Sequence, residues 1–279
     1  MGLRRAGELL IGDPGLFVRK SAARLLRRAP FFPRRASRDI HGVRFDCDFA
    51  LDPRVADMFF AAYEPHEVEV LERFLKPGDV FIDVGANIGY LTAVGASRVG
   101  PTGQVHSFEP VPDYFARLDA LRAANPSYSI AVHHVALGES EGTAEIAQAA
   151  ETNIGWNTMV PGLLSGAAAR ARHRVRVRRL DGYLAERGIT KVALIKIDTE
   201  GFELPVLRGA SGFLDATRPR PPILCEVAPG AYPLLGARVA DLFDYLARYG
   251  YSATDVENHG RPVGPDGLVA TTNVLFVAG

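Results

Sequence analysis

An α/β fold built on one doubly wound parallel sheet is what the sequence predicts, on three observations. Short apolar runs alternate with stretches of helical period through most of the chain, as in strands joined by crossover helices. One run, Val80-Phe81-Ile82-Asp83-Val84, empties into a glycine-punctuated turn, Gly85-Ala86-Asn87-Ile88-Gly89, that opens a helix. The chain has 279 residues, 47% of them hydrophobic, enough for one large domain with a small appendage.

The charges cancel, 32 basic against 32 acidic, so no nucleic-acid partner is expected. The balance hides a basic leader over residues 1–38, where Arg4, Arg5, Arg19, Lys20, Arg24, Arg27, Arg28, Arg34, Arg35 and Arg38 face only Glu8 and Asp13. Within it, residues 16–26 predict an amphipathic helix with Leu16, Phe17, Ala23, Leu25 and Leu26 among the arginines. Such a leader suits a cap, a frayed tail or a weak contact with an anionic membrane surface. Gly12, Asp13 and Pro14 break the apolar run from Leu9, and no run approaches the ~20 apolar residues of a membrane span, so a cytoplasmic protein is expected. Cys47 and Cys225 lie in strand-like contexts without metal-ligand spacing and predict buried thiols.

Residues 39–78 read as a brace. Ile40, Val43, Phe45 and Cys47 alternate about His41-Gly42 as in a short strand or hairpin. A helix over 65–75 carries Val68, Leu71 and Leu75 on one face and stops at Lys76-Pro77-Gly78-Asp79. The main domain, 79–279, holds strand candidates at 80–84, 104–108, 130–135, 192–197, 222–227, 252–256 and 274–277, and seven strands fit one sheet. Residues 138–174 form a polar excursion, expected on the substrate side as a loop or hairpin.

The turn after the first of these strands carries the first chemical signal. Gly85 and Gly89 allow a tight bend and close approach of a ligand, while free N–H groups of the opening helix point toward it. A dinucleotide fingerprint would need glycine where Asn87 stands, and would gain nothing from Asp83 two residues before the first glycine. S-adenosylmethionine has no pyrophosphate and carries a sulfonium and an amino group, which a carboxylate favours. The next strand ends in Phe108-Glu109-Pro110, where Glu109 suits a pair of ribose hydroxyls. An NAD-dependent reductase and a cofactor-binding scaffold without turnover are the competing readings.

Further motifs narrow the comparison. Val135-Ala136-Leu137-Gly138, Arg179-Leu180-Asp181, Leu194-Ile195-Lys196-Ile197-Asp198-Thr199-Glu200-Gly201-Phe202-Glu203, Val206-Leu207-Arg208-Gly209-Ala210 and Pro222-Ile223-Leu224-Cys225-Glu226 resemble the FkbM family of S-adenosylmethionine-dependent methyltransferases, over roughly residues 63–277. The resemblance implies a Rossmann-like, class I methyltransferase fold whose seventh strand is antiparallel. It also implies oxygen methylation of a sugar, glycan or polyketide-like hydroxyl in bacterial biosynthesis, with S-adenosylhomocysteine as product. By the same likeness Ala136 and Leu137 line the adenine pocket and Asn87 sits beside the cofactor, joining Asp83, Gly85, Ala86, Gly89, Glu109, Pro110 and Asp198 as the expected cofactor residues.

Lys196, Asp198 and Glu200 occupy alternate positions as the fourth strand ends, so a continuing strand would point all three one way, as a catalytic row. Either carboxylate suits the base that takes a proton from an acceptor hydroxyl. Both acids with Glu226 equally suit oxygen ligation of a hard cation, although no metal is expected. Tyr63, Trp156, Asn157 and Glu226 are expected near the acceptor. Tyr63 and Glu64 suit a lid or a helix cap, and Trp156 a core plug or a stacking platform. His66, His133 and His134 are weaker alternatives for the base.

Overall fold

The computed structural model describes residues 13–26, 33–149, 156–164, 168–258 and 260–279. It opens on helix α1 (Pro14–Leu26) and a hairpin of β1 (Arg35–Ile40) and β2 (Val43–Asp48). The hairpin turns at His41 (φ 47°) and Gly42 (φ 93°), the left-handed pair whose twist matches the flanking strands. Helices α2 (Arg54–Phe59) and α3 (Pro65–Phe74) lead into β3 (Val80–Val84), α4 (Tyr90–Val99), β4 (Gln104–Phe108), α5 (Pro112–Ala124) and β5 (Ser129–His133). The strands β6 (Ala136–Leu137), β7 (Gly142–Ala149) and β8 (Ala169–Arg178) follow, then α6 (Leu180–Glu186), β9 (Leu194–Ile197), α7 (Glu203–Arg208), α8 (Ser211–Ala216) and β10 (Ile223–Val227). The chain ends through α9 (Val239–Ala247), β11 (Tyr251–Asp255), β12 (Arg261–Pro262) and β13 (Thr272–Ala278).

The main sheet runs β12-β11-β13-β10-β9-β3-β4-β5. Strands β10, β9, β3, β4 and β5 are parallel, and β13 inserts antiparallel between β10 and β11. The seven expected strands are therefore present with the last one reversed, and the two-residue β12 extends the edge as an eighth. The chain works outward from β3 to β5, then returns to β9 on the other side of β3. That reversal leaves a crevice beyond the carboxyl ends of β3 and β9, where such sheets bind ligands.

Strand alternation divides the core into two layers. Phe81, Leu194, Leu224 and Leu275 pack with α4, α5 and the hairpin, whereas Ile82, Val84, Ile195, Ile197, Cys225 and Phe276 pack with α6 to α9. The same alternation turns Asp83, Lys196 and Glu226 toward the first layer. Both cysteines are buried thiols.

The polar excursion is a β7–β8 hairpin, joined by β6 into a separate three-stranded sheet. The strand expected over 130–135 accordingly stops at His133, because Ala136 and Leu137 leave the main sheet to pair with β8. Asn153, Ile154 and Gly155 of the excursion lie outside the described residues, as do Arg4, Arg5, Glu8, Arg27 and Arg28 of the basic stretch.

Where it is described, the leader is attached to the body. Leu16 and Ala23 of α1 are buried, Arg38 donates to the carbonyls of Met58 (2.9 Å) and Phe59 (2.8 Å), and β1 already begins at Arg35. Among the described residues no helix is long and apolar enough to cross a membrane. Leu16→Ala should cost about 2 kcal/mol or more, as for a buried leucine truncated in a core. Urea denaturation checks this, and an unchanged midpoint would mean that α1 contributes nothing to stability.

Candidate functional site

The crevice is built where two strand ends are forced together. After β3 the backbone turns through Gly85 (φ 74°), and a Cβ at that position would lie 1.7 Å from the carbonyl oxygen of Asp198. Only glycine admits so close an approach. The N–H groups of Gly85 and Ala86 donate to the Phe108 carbonyl (3.0 and 3.1 Å), and the Asp198 N–H donates to that of Val84 (3.0 Å). Gly89 (φ 90°) starts α4, and a Cβ there would meet Leu121 at 2.7 Å. Gly89 and the buried Ala86 thus shape the turn without lining the cleft.

Glu109 joins this turn to the end of β4. One carboxyl oxygen accepts the Asn87 N–H and the other the Val111 N–H, each at 2.8 Å. Burial pushes its proton affinity up to about 7, against the pull of these two bonds. Lys196 is the matching fastener on the β9 side. Its ammonium donates to the Gly85 carbonyl (3.2 Å) and to Asp198 Oδ2 (3.2 Å), and lies 3.7 Å from Asp83 Oδ1. Burial opposes its charge, but Asp198, Asp83 and Glu64 outweigh burial and hold it protonated.

Asp83 departs from its expected place. Alternation turns it behind the Gly85 turn, fully buried, where it accepts the Thr92 hydroxyl at 2.6 Å and faces Lys196. It does not line the cleft. The acid row is also built differently from a continued strand. Strand geometry ends at Ile197, and Glu200 is left-handed (φ 52°), so the loop turns back on itself. The result still gathers Asp198 and Glu200 with Glu226, each offering a carboxylate oxygen within 4.8 Å of the others. Glu200 is pushed up to about 9, chiefly by burial and then by Asp198 and Glu203. Glu226 is raised well above the ordinary range by burial, then by Asp198 and Glu200, and its Oε2 is buried without a hydrogen-bond donor.

Between these parts lies a cleft of about 520 Å³. Phe108, Val135, Ala136, Leu137, Ile146 and Met159 form its apolar walls, while Asn87, Glu109, Pro110, Asn157, Asp198 and Glu200 stand among its other lining residues. Among the described lining residues there is no arginine, lysine or histidine. An apolar slot for a flat base, a buried acceptor at a strand tip and an acidic end together fit adenosylmethionine. A dinucleotide's pyrophosphate would meet carboxylates and no cation.

Other expected residues scatter. Asn157 lines the cleft, its Oδ1 accepting the Ala149 N–H at 3.1 Å, but Trp156 is 40% exposed, so it plugs no core, and it does not line the cleft. Tyr63 packs edge-on against Tyr90 (5.6 Å) and stays out of the cleft, whereas Glu64 and Glu226 line a small neighbouring cavity with Lys196 and Asp198. His133 bonds the Tyr183 hydroxyl (2.7 Å) and is pushed down to about 4 by burial, His134 stacks on Phe115, and His66 lies beside Glu69. None of the three lines the cleft. Reading the residues missed Ile146 and Met159, and two buried anchors: Thr158, which left no signal beyond its place in the polar excursion, and Glu203, whose only trace was membership of the motif run from Leu194.

The Gly85 contact yields a paired prediction. Gly85→Ala adds both left-handed strain and a clash, and should destabilise by about 3–5 kcal/mol. Gly188→Ala, also at positive φ (64°) but with nothing within 4 Å of the added Cβ, should cost about 1–2 kcal/mol. Equal losses in denaturant titrations would show that the Asp198 contact is unimportant.

Residues 83–253, more than half of the chain, match the model of the methyltransferase FkbM domain. A 31-O-demethyl-FK506 methyltransferase FkbM from Streptomyces tacrolimicus is 32% identical over 189 residues, covering 57% of this chain and 66% of that protein. The AMB antimetabolite synthetase AmbE of Pseudomonas aeruginosa is 29% identical over 211 residues, covering 64% of this chain and 10% of that protein. The chain therefore spans less than two thirds of the length of either relative. A solved methyltransferase FkbM from Methylobacillus flagellatus superposes with a TM-score of 0.43 at 19% identity, over 94% of this chain and 60% of that one. With the motif run around Lys196 and a matching domain over most of the sheet, the chain belongs to the FkbM family of S-adenosylmethionine-dependent methyltransferases.

Proposed function

We propose that the chain methylates a hydroxyl oxygen of a small molecule, a sugar, glycan or polyketide-like natural product, using S-adenosylmethionine. The observation that carries this reading is the cleft's make-up: an apolar slot, a buried ribose-type acceptor in Glu109, and an end furnished with Asp198 and Glu200, with no cation among the described lining residues. The Streptomyces relative, by its name a methyltransferase of 31-O-demethyl-FK506, supports the choice of oxygen.

When bound, the cofactor supplies an electrophilic methyl group on a sulfonium. Phe108, Ala136 and Leu137 would hold its adenine, Glu109 its ribose hydroxyls, and Asn87 and Gly85 its amino-acid end. Asp198 is engaged by the Lys196 ammonium, which leaves Glu200 as the carboxylate better placed to accept a proton. Glu200 takes the proton of the acceptor hydroxyl, and the surrounding walls keep the two reactants in one orientation and exclude water.

A base must be ionised, so turnover should rise with pH through the elevated range of Glu200. Glu200→Gln should lower turnover by about 10²–10⁴ and flatten that rise, with adenosylhomocysteine affinity nearly unchanged. Glu109→Ala should weaken adenosylhomocysteine by about 1.5–3 kcal/mol in calorimetry. Radiolabelled methyl transfer to a panel of sugar and macrolide alcohols provides the assay. A chelator that abolishes transfer, with Mg²⁺ restoring it, would reassign Asp198, Glu200 and Glu226 from base to metal ligands.

A further inference from the structure

Glu200 is the residue the proposed reaction leans on, yet it sits in a backbone conformation that non-glycine residues avoid. Two buried side chains grip the peptide group that follows it, Thr158 at its carbonyl and Glu203 at its N–H. Thr158, from the segment after β7, donates its hydroxyl to the Glu200 carbonyl (2.8 Å) and accepts the Val160 N–H (3.0 Å). Glu203, fully buried at the start of α7, accepts the Gly201 N–H (2.6 Å) and the Thr199 hydroxyl (3.2 Å) on one oxygen. Its other oxygen accepts the Tyr232 hydroxyl at 3.1 Å. Tyr232 follows Ala231, against which Gly201 is pressed so closely that a Cβ on the glycine would lie 2.1 Å from the alanine Cβ.

Three donors, two from the Thr199–Gly201 turn and one from Tyr232, thus converge on one carboxyl group that does not itself line the cleft. We propose that Glu203 is a positioning residue: its buried carboxylate, braced by Tyr232, holds the Thr199–Gly201 turn so that Glu200 faces Asp198 at the acidic end of the cleft. A carboxylate with donors on both oxygens resists reorientation, which a single hydrogen bond to an exposed loop would not achieve. The same negative charge is one of the influences that raise the proton affinity of Glu200, after burial and Asp198. Glu203 therefore acts on Glu200 by geometry and by charge, and two substitutions separate these. Gln retains an oxygen for Gly201 and Thr199 and lets the Tyr232 hydroxyl reverse, so it keeps the turn and removes the charge. Ala removes both.

The proposal rests on adenosylmethionine binding in this cleft only for its second readout. The first is amide hydrogen exchange of the ligand-free protein. Glu203→Ala should speed exchange at Gly201 by about 100-fold or more, whereas Glu203→Gln should stay within about tenfold of wild type. The second is the affinity ratio of adenosylmethionine to adenosylhomocysteine against pH, measured by calorimetry. In wild type the cationic ligand should gain as Glu200 ionises. The Gln variant should show the same gain at lower pH, and the Ala variant should lose most of it. Should Glu203→Ala fail to fold, Tyr232→Phe asks the same question. It leaves one Glu203 oxygen without its donor while keeping the charge, and should speed exchange at Gly201 by less than loss of the whole carboxylate would. Wild-type exchange at Gly201 in both folded variants would overturn the proposal. Equal loss of protection in Gln and Ala would overturn it as well, since the acceptor geometry would then not matter. If neither ligand binds wild type, the functional reading fails and the exchange data alone decide the role of Glu203.

Discussion

A buried ammonium joins the two strand ends from which the cleft is made. Lys196 leaves β9 and reaches across to the carbonyl of Gly85 in the β3 turn, with Asp198 and Asp83 beside it. Withdrawing a lysine from water is costly unless partners replace its hydration, and here a carbonyl and two carboxylates do so. The contact works only because Gly85 has no side chain, which lets the Asp198 carbonyl sit where a Cβ would be. Removing either half would separate the turn from the acid loop, and the apolar walls would then enclose a different space.

The same arithmetic of strands explains why so many acids collect at one place. A period of two along β3, β9 and β10 turns Asp83, Lys196 and Glu226 to one face of the sheet, where the brace and its Glu64 also converge. With one lysine among several carboxylates, repulsion is relieved either by protons or by a cation. Burial, and after it this repulsion, raises the proton affinities of Glu200 and Glu226, which favours the first course. A sulfonium entering the cleft offers the second, and its arrival would draw protons off the same groups.

Much of the fold was legible in the sequence because its signals are local. The seven strands, the His41-Gly42 hairpin, the Gly85–Gly89 turn and Glu109 at a strand tip all rest on periodicity or on residues within a few positions of one another. Asn87, Ala136, Leu137 and Asp198 line one cleft. What stayed hidden depends on partners distant in sequence. Asp83 looked like a ligand until Thr92 and Lys196 were seen to enclose it. The left-handed turn at Glu200 is bonded by Thr158, 42 residues away, and by Glu203, whose own donor Tyr232 lies 29 residues further on. Pairing with β8 draws Ala136 away from the main sheet, and the docking of Leu16 depends on a surface assembled from the brace.

The Lys196 contacts with Gly85 and Asp198 assemble the cleft proposed to take adenosylmethionine. The most direct test is the adenosylhomocysteine affinity of Lys196→Met, which keeps length and apolar volume while removing the ammonium. With Asp83 and Asp198 left without their partner and the two loops no longer joined, affinity should fall by about 3 kcal/mol or more in a protein that still folds. Wild-type affinity in that variant would contradict the account, because the cleft would then form without the contact said to build it.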